Sequence, residues 1–206
     1  MPFQPFGRKR GSPRPGAPET EPFSALRAFG VTPVRRVSLG RRKESYRFDR
    51  LFSHSMAVDY SVMLLRGAGI YGREKFLVWG GFLSGKNAVV TTVISPRTTG
   101  AESHGEVPAD VVARVLEALE ARDLVPLAQL HSHPFEAFMS EVDRQRPLVA
   151  LRGFWSVIVP EFAFGPTEDP PSWSIYEFER HRTWRVLDPN EIARRLVIDD
   201  SIIKVD

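Results

Sequence analysis

The residues best able to do chemistry lie close together, in Leu130-His131-Ser132-His133-Pro134 and Ser140-Glu141-Val142-Asp143. Leu124 to His131 reads as a strand, and a strand's period of two puts the imidazoles of His131 and His133 on one face, where they can share an ion. After a short loop, Ser140 is placed to N-cap a helix whose first turn presents Asp143 back toward the strand end. Two imidazoles and one carboxylate leave the fourth position of a tetrahedral zinc for water, the open pattern of catalytic sites. Zinc is preferred because magnesium or calcium would want mostly oxygen. One such ion lowers the pKa of its water to about 7. A carboxylate beside it is then needed to take the proton and return it to a leaving amine. A lone His on a strand is usually a packed or exposed residue, but the paired spacing with the acid of Ser-x-x-Asp ten residues after His133 outweighs that reading. Ser140 by itself is also the signature of a helix start, and the two roles are compatible.

The elements around this pair follow from periodicity. Met56 to Leu65 reads as a helix that Gly67 and Gly69 terminate. Lys75 to Leu83 and Ala88 to Ile94 form a hairpin across Ser84-Gly85-Lys86-Asn87. Val107-Pro108 opens a second helix with Val111, Val112, Val115, Leu116 and Leu119 on one face. Trp155 to Pro160 is a buried-type strand. Trp173 to Glu179 and Arg182 to Leu187 make a second hairpin, and Asp188-Pro189-Asn190-Glu191 starts a last helix, with Asp188 as cap. This order indicates an α/β or α+β sandwich, a mixed β-sheet flanked by α-helices. Trp79 and Trp155 read as core. Short strands are also expected at Val31 to Val37 and Glu44 to Phe48.

The chain has 206 residues, 42% of them hydrophobic, and no Cys, so a metal must be held by His and carboxylates. The absence of Cys fits a reducing cytoplasm, and no apolar run is long enough to cross a bilayer. Residues 1–50 hold 12 Lys/Arg against 4 Asp/Glu, whereas residues 51–206 hold 16 against 21. Residues 1–22, with six Pro and three Gly, read as a disordered basic tail, 23–50 as a poorly defined extension, and 51–206 as the catalytic domain. The tail is read as solvated; nothing like an aromatic-interleaved binding platform supports a nucleic-acid partner, and none is expected.

His131-Ser-His133-Pro134 with Ser140-x-x-Asp143 resembles the signature of the JAMM, or MPN+, zinc-dependent peptidases. The likeness covers roughly Phe52 to Pro189. It implies the MPN/JAMM (cytidine-deaminase-like) fold, with His131, His133 and Asp143 as the ligands of one catalytic Zn2+. It also implies an upstream Glu as general acid/base and Ser140 as a donor to the developing oxyanion. Glu74 fits that place, leading into an apolar strand and 57 residues before His131. Glu44 and Glu102 compete, but Glu44 precedes the first helix and Glu102 lies in a Gly-rich loop. The five residues between Pro134 and Ser140 are one fewer than in eukaryotic members and point to a bacterial-type branch. Within that loop Phe135 and Glu136 are candidates for substrate contact, whereas Phe138 and Met139 are expected to pack beneath it. By resemblance the substrate is a ubiquitin-like protein, cleaved from a conjugate or processed at its C-terminus, with activating or conjugating enzymes as partners. A peptidase for small adducts and a metal-free MPN scaffold are the alternatives. His54, His104 and His181 have no spacing partner and read as surface or loop residues.

Overall fold

The structure is a computed structural model that describes residues 47–97, 107–165, 172–180 and 183–200. In chain order the elements are β1 (Arg50–Ser53), α1 (Ser55–Gly69), β2 (Phe76–Ser84), β3 (Asn87–Ile94), α2 (Ala109–Glu120), β4 (Val125–Ser132) and α3 (Glu141–Gln145). There follow β5 (Trp155–Val159), a 3-10 turn at Glu161–Ala163, β6 (Ser174–Arg180), β7 (Thr183–Val186), α4 (Pro189–Arg195) and β8 (Leu196–Ile198). The strands form one mixed sheet in the order β7-β6-β5-β4-β2-β3-β1-β8. β4 sits at its centre, antiparallel to β2 and parallel to β5, with every residue buried. A strand covered on both faces reads as a nearly continuous apolar run, as Val125 to Leu130 does.

Alternation along the strands feeds two cores. Leu77, Trp79, Leu130, Val157 and Ile175 pack with Val58, Val62 and Leu65 of α1, while Val78, Ile158 and Phe178 pack with Val115 and Leu119 of α2. Trp79 and Trp155 are fully buried, as expected. The indole N–H of Trp79 donates to Ser61 Oγ of α1 at 2.9 Å. The sheet curls: Phe48 beside β1 meets Trp155 of β5 at 5.1 Å between ring centroids, and Arg195 of α4 reaches Glu177 of β6.

Two expectations are corrected, and one element is new. α1 does not stop at Leu65 but runs through Gly67 to Gly69. A glycine inside a helix costs about 1 kcal/mol, and at Gly69 tertiary packing overrides it: an added Cβ would lie 2.3 Å from Phe162 Cβ. Among the described residues the first strand begins at Arg50; of the strand expected over Glu44 to Phe48, Arg47 and Phe48 are irregular, Phe48 is core, and 44–46 lie outside the described residues. The 3-10 turn was not anticipated, because Glu161, Phe162 and Ala163 all have positive φ (52°, 49° and 64°) with no Gly to signal it. Val31 to Val37, residues 1–22 and most of the expected extension lie outside the described residues.

Candidate metal centre

β4 ends in His131 and Ser132, and His133 follows with its N–H donating to Val159 O at 2.9 Å, so the backbone stays in register with β5 beyond the strand's end. The two imidazoles therefore emerge on the same face. Their Nε2 atoms are 3.1 Å apart. Phe138 stands edge-on to His133 at 5.4 Å. Its ring is 55% exposed, so it covers the imidazole from the solvent side instead of packing beneath the loop. Met139 does pack as expected; it is buried, and its N–H donates to Tyr176 Oη at 3.1 Å, fixing the end of the loop to β6.

Ser140 then caps α3. Its Oγ accepts from Asp143 N at 3.2 Å, and the Asp143 carboxylate accepts in return from Ser140 N at 2.9 Å, a reciprocal capping box. Ser140 Oγ also donates to Asp143 Oδ2 at 2.6 Å. The carboxylate faces both imidazoles, Oδ1 lying 3.3 Å from His131 Nε2 and Oδ2 3.6 Å from His133 Nε2. All three side chains are buried. Burial alone would push the Asp143 carboxyl up, but hydrogen bonds with His131, His133 and Ser140 more than offset this and hold it far below the usual carboxylate range.

His131, His133 and Asp143 each offer a ligand atom, all within 4.8 Å of one another. An ion with four ligands at about 2.0–2.1 Å in a tetrahedron separates neighbouring ligand atoms by about 3.3 Å. The observed separations of 3.1, 3.3 and 3.6 Å bracket that spacing. The donor set of two nitrogens and one carboxylate oxygen suits a divalent transition ion better than magnesium or calcium.

Glu74 arrives by strand pairing. Phe76 of β2 lies opposite His131, and the ladder continues one residue further through Lys75 N to Ser132 Oγ and Ser132 N to Lys75 O, both at 3.3 Å. The next residue back along this antiparallel pair, Glu74, falls beside His133. It lines, with His133, Phe138, Ser140 and Asp143, a cavity of about 320 Å³. Phe135 and Glu136 line the same cavity and extend into a neighbouring groove of about 710 Å³ that Pro160 and Glu161 share. Glu44, Glu102, His104 and His181 lie outside the described residues. His54 does not approach the site; its Nδ1 caps α1, accepting from Met56 N at 3.0 Å.

Two contributors were not foreseen. Ser132 shares the strand with the ligands but points to the other face, where its hydroxyl fixes the backbone entering β2. The 3-10 turn holds the loop after His133: Phe162 N donates to His133 O at 2.7 Å and Glu161 N to Phe135 O at 2.9 Å. A Ser between two His could have hinted at the first. Nothing in Glu161-Phe162-Ala163 signals the second.

No protein-family model matches the chain. It is 31% identical over 137 residues to the probable metalloprotease y4jG of Sinorhizobium fredii (strain NBRC 101917 / NGR234), spanning 65% of this chain and 83% of that protein. The solution structure of a Desulfitobacterium hafniense protein superposes with a TM-score of 0.53 at 14% identity, covering 73% of this chain and 93% of that one, so the two share a fold. A JAB1/MPN domain protein from Archaeoglobus fulgidus gives a weaker likeness, with a TM-score of 0.42 at 15% identity, over 72% and 98% of the two chains. The His-x-His and Ser-x-x-Asp residues converge on one point at the end of a central strand, and the chain matches a probable metalloprotease over most of that relative's length: the protein belongs to the JAMM/MPN family of metallopeptidases.

Proposed function

We propose that the protein is a zinc-dependent isopeptidase or peptidase that cleaves a ubiquitin-like protein from its conjugate or processes its C-terminus. The observation that carries the reading is the convergence of His131 Nε2, His133 Nε2 and the Asp143 carboxylate beside a cavity that Glu74 also lines. A zinc ion bound there supplies Lewis acidity, activating water near neutral pH and polarising a carbonyl. Glu74 takes the proton of the attacking water and delivers it to the departing amine, the two tasks a single carboxylate performs in turn. Ser140 steadies the oxyanion through its hydroxyl, which must turn from Asp143 to do so. Phe135 and Glu136 bound the path of the substrate chain into the neighbouring groove.

The protein substrate rests on the family likeness, as do partners among activating or conjugating enzymes. A cytoplasmic setting rests on the lack of Cys. Among the described residues no helix is long and apolar enough to cross a membrane. The scaffold alternative is disfavoured because the whole ligand set is present.

The test is metal analysis with cleavage of a panel of C-terminally extended and Lys-linked ubiquitin-like proteins. One zinc per chain is expected, lost in His131→Ala. Glu74→Gln should keep the metal and lose about 10²–10⁴-fold in kcat. A wild-type protein without metal, or a Glu74→Gln variant of full activity, would overturn the mechanism. Cleavage of short peptides alone would replace the protein substrate with a small one.

A further inference from the structure

Three large apolar side chains left exposed gather at the metal centre, where no step of the chemistry uses them. Phe135 is 77%, Phe138 55% and Val142 41% exposed, and all three line the cavity of about 320 Å³ that Glu74, His133 and Asp143 share. A second cavity of about 550 Å³ also reaches His131, Val142 and Asp143, but Glu74 does not line it. The reacting atoms need the ligands and the acid/base together, so the substrate group beside the scissile bond lies in the first cavity. Apolar walls around a few convergent polar groups are the usual make-up of a site that selects its ligand.

We propose that Phe138, with Val142 and Phe135, forms a subsite for a bulky apolar substrate group next to the scissile bond, and that Phe138 is the residue that determines this preference. The subsite rests on the zinc peptidase reading above and adds the class of substrate group it takes. The Phe138 ring stands at 82° to the His133 imidazole with 5.4 Å between centroids, so the wall begins directly beside a candidate ligand. Its backbone is pinned on both sides: Phe138 N donates to Glu136 O and Met139 N to Tyr176 Oη, each at 3.1 Å. Val142 sits in the first turn of α3, which the Ser140–Asp143 capping box anchors. A wall fixed in this way loses little freedom when a ligand binds, and more of the contact energy is kept as affinity. Among the described residues no Lys or Arg lines the cavity, whereas Glu74 and Glu136 both do. An apolar group is therefore drawn out of water against the rings, and a carboxylate meets like charge.

The test is calorimetric binding of three hydroxamic acids to the full chain loaded with zinc, so that the readout is affinity and not turnover. Hydroxamates grip a zinc ion through one common head group, and these three differ in what they place beside it: acetohydroxamic acid, phenylacetohydroxamic acid and the monohydroxamic acid of succinate. The phenylacetyl compound should bind at least about tenfold more tightly than the acetyl one, and the succinyl compound no more tightly than the acetyl one. In Phe138→Ala the ratio of phenylacetyl to acetyl affinity should fall to within about threefold of unity, with zinc still bound. Phe138→Leu should keep most of the ratio, because an apolar wall of similar volume remains. A zinc-loaded wild type that binds the phenylacetyl and acetyl compounds equally, or neither of them, overturns the subsite alone. So does a ratio unchanged in Phe138→Ala, or a succinyl compound that gains as much as the phenylacetyl one. A wild type that takes up no zinc overturns the subsite together with the reading it rests on.

Discussion

Asp143 caps a helix and belongs to the candidate metal site at once. Its Oδ2 closes the capping box with Ser140, and this leaves Oδ1 turned toward His131. The orientation of a candidate metal ligand is thus set by the start of a five-residue helix too short to hold itself. Ser140→Ala should therefore act on both functions. Loss of the cap should cost about 1 kcal/mol of stability, and loss of the hydroxyl that orients the carboxylate should weaken metal binding by about 10–100-fold. Thermal melts and competition against a colorimetric chelator separate the two effects, and unchanged metal affinity would mean that Asp143 is held by other means. At this scale the sequence was highly legible. His131, His133, Ser140 and Asp143 lie within thirteen residues, and strand period and capping rules act over such distances. Glu74 was less so, because it is brought in by pairing with a strand far along the chain. Phe138 was misread as a packed residue: a large apolar side chain suits both burial beneath the loop and a place against His133.

At the scale of elements, the C-terminal end of α1 and the 3-10 turn support the loop that carries His133. Three consecutive residues at positive φ cost about 1–3 kcal/mol each. They are held by Arg66 Nε to Ala163 O, by Phe162 N to His133 O, and by the close approach of Phe162 to Gly69. Gly69→Ala would drive a methyl against Phe162 Cβ, which belongs to the base of its side chain and cannot swing away. The expected result is a loss of about 1–3 kcal/mol in urea unfolding, with faster release of metal because the His133 carbonyl loses its fixed partner. Unfolding parameters equal to the wild type would show that the turn relaxes freely. Neither half of this arrangement can be read locally. Gly67 and Gly69 look like helix terminators, and only the contact with residues nearly a hundred positions later explains why the helix continues through them.

At the scale of the molecule the sheet is closed upon itself by charge. Glu177 on β6 is buried and accepts from Arg195 Nη2 on α4 at 2.8 Å and from Arg185 Nη2 on β7 at 2.9 Å, while Arg185 also reaches Glu191. Arg195 in turn donates to Phe48 O at 2.8 Å and lies 5.1 Å from the centre of the Trp155 ring. Both ends of an eight-stranded sheet meet at this cluster. The hairpins and helices were legible, but the strand order was not, because β1 and β8 are four and three residues long and pair in parallel with strands remote in sequence. No local pattern announces such pairing, nor the salt bridges that depend on it. Burial opposes ionisation of Glu177, but the hydrogen bonds and charges of Arg195 and Arg185 prevail and hold its carboxyl below the ordinary range. A carboxylate with a depressed pKa stabilises the fold above its unfolded value, about 4.3, and that contribution is lost as pH falls through the folded one. Glu177→Gln leaves the largely buried Arg195 without its counter-charge, and breaking such a pair costs about 3 kcal/mol, the lower end of the usual span because Arg185 is partly exposed. Urea unfolding of the two proteins should therefore differ by a constant amount between pH 5 and 7. Below about pH 4 the gap should narrow, as the wild-type carboxylate takes up the proton that the variant never needed. A gap that stays constant throughout, or widens in acid, would assign the closure of the sheet to packing around Trp155 and Phe48 instead of to charge.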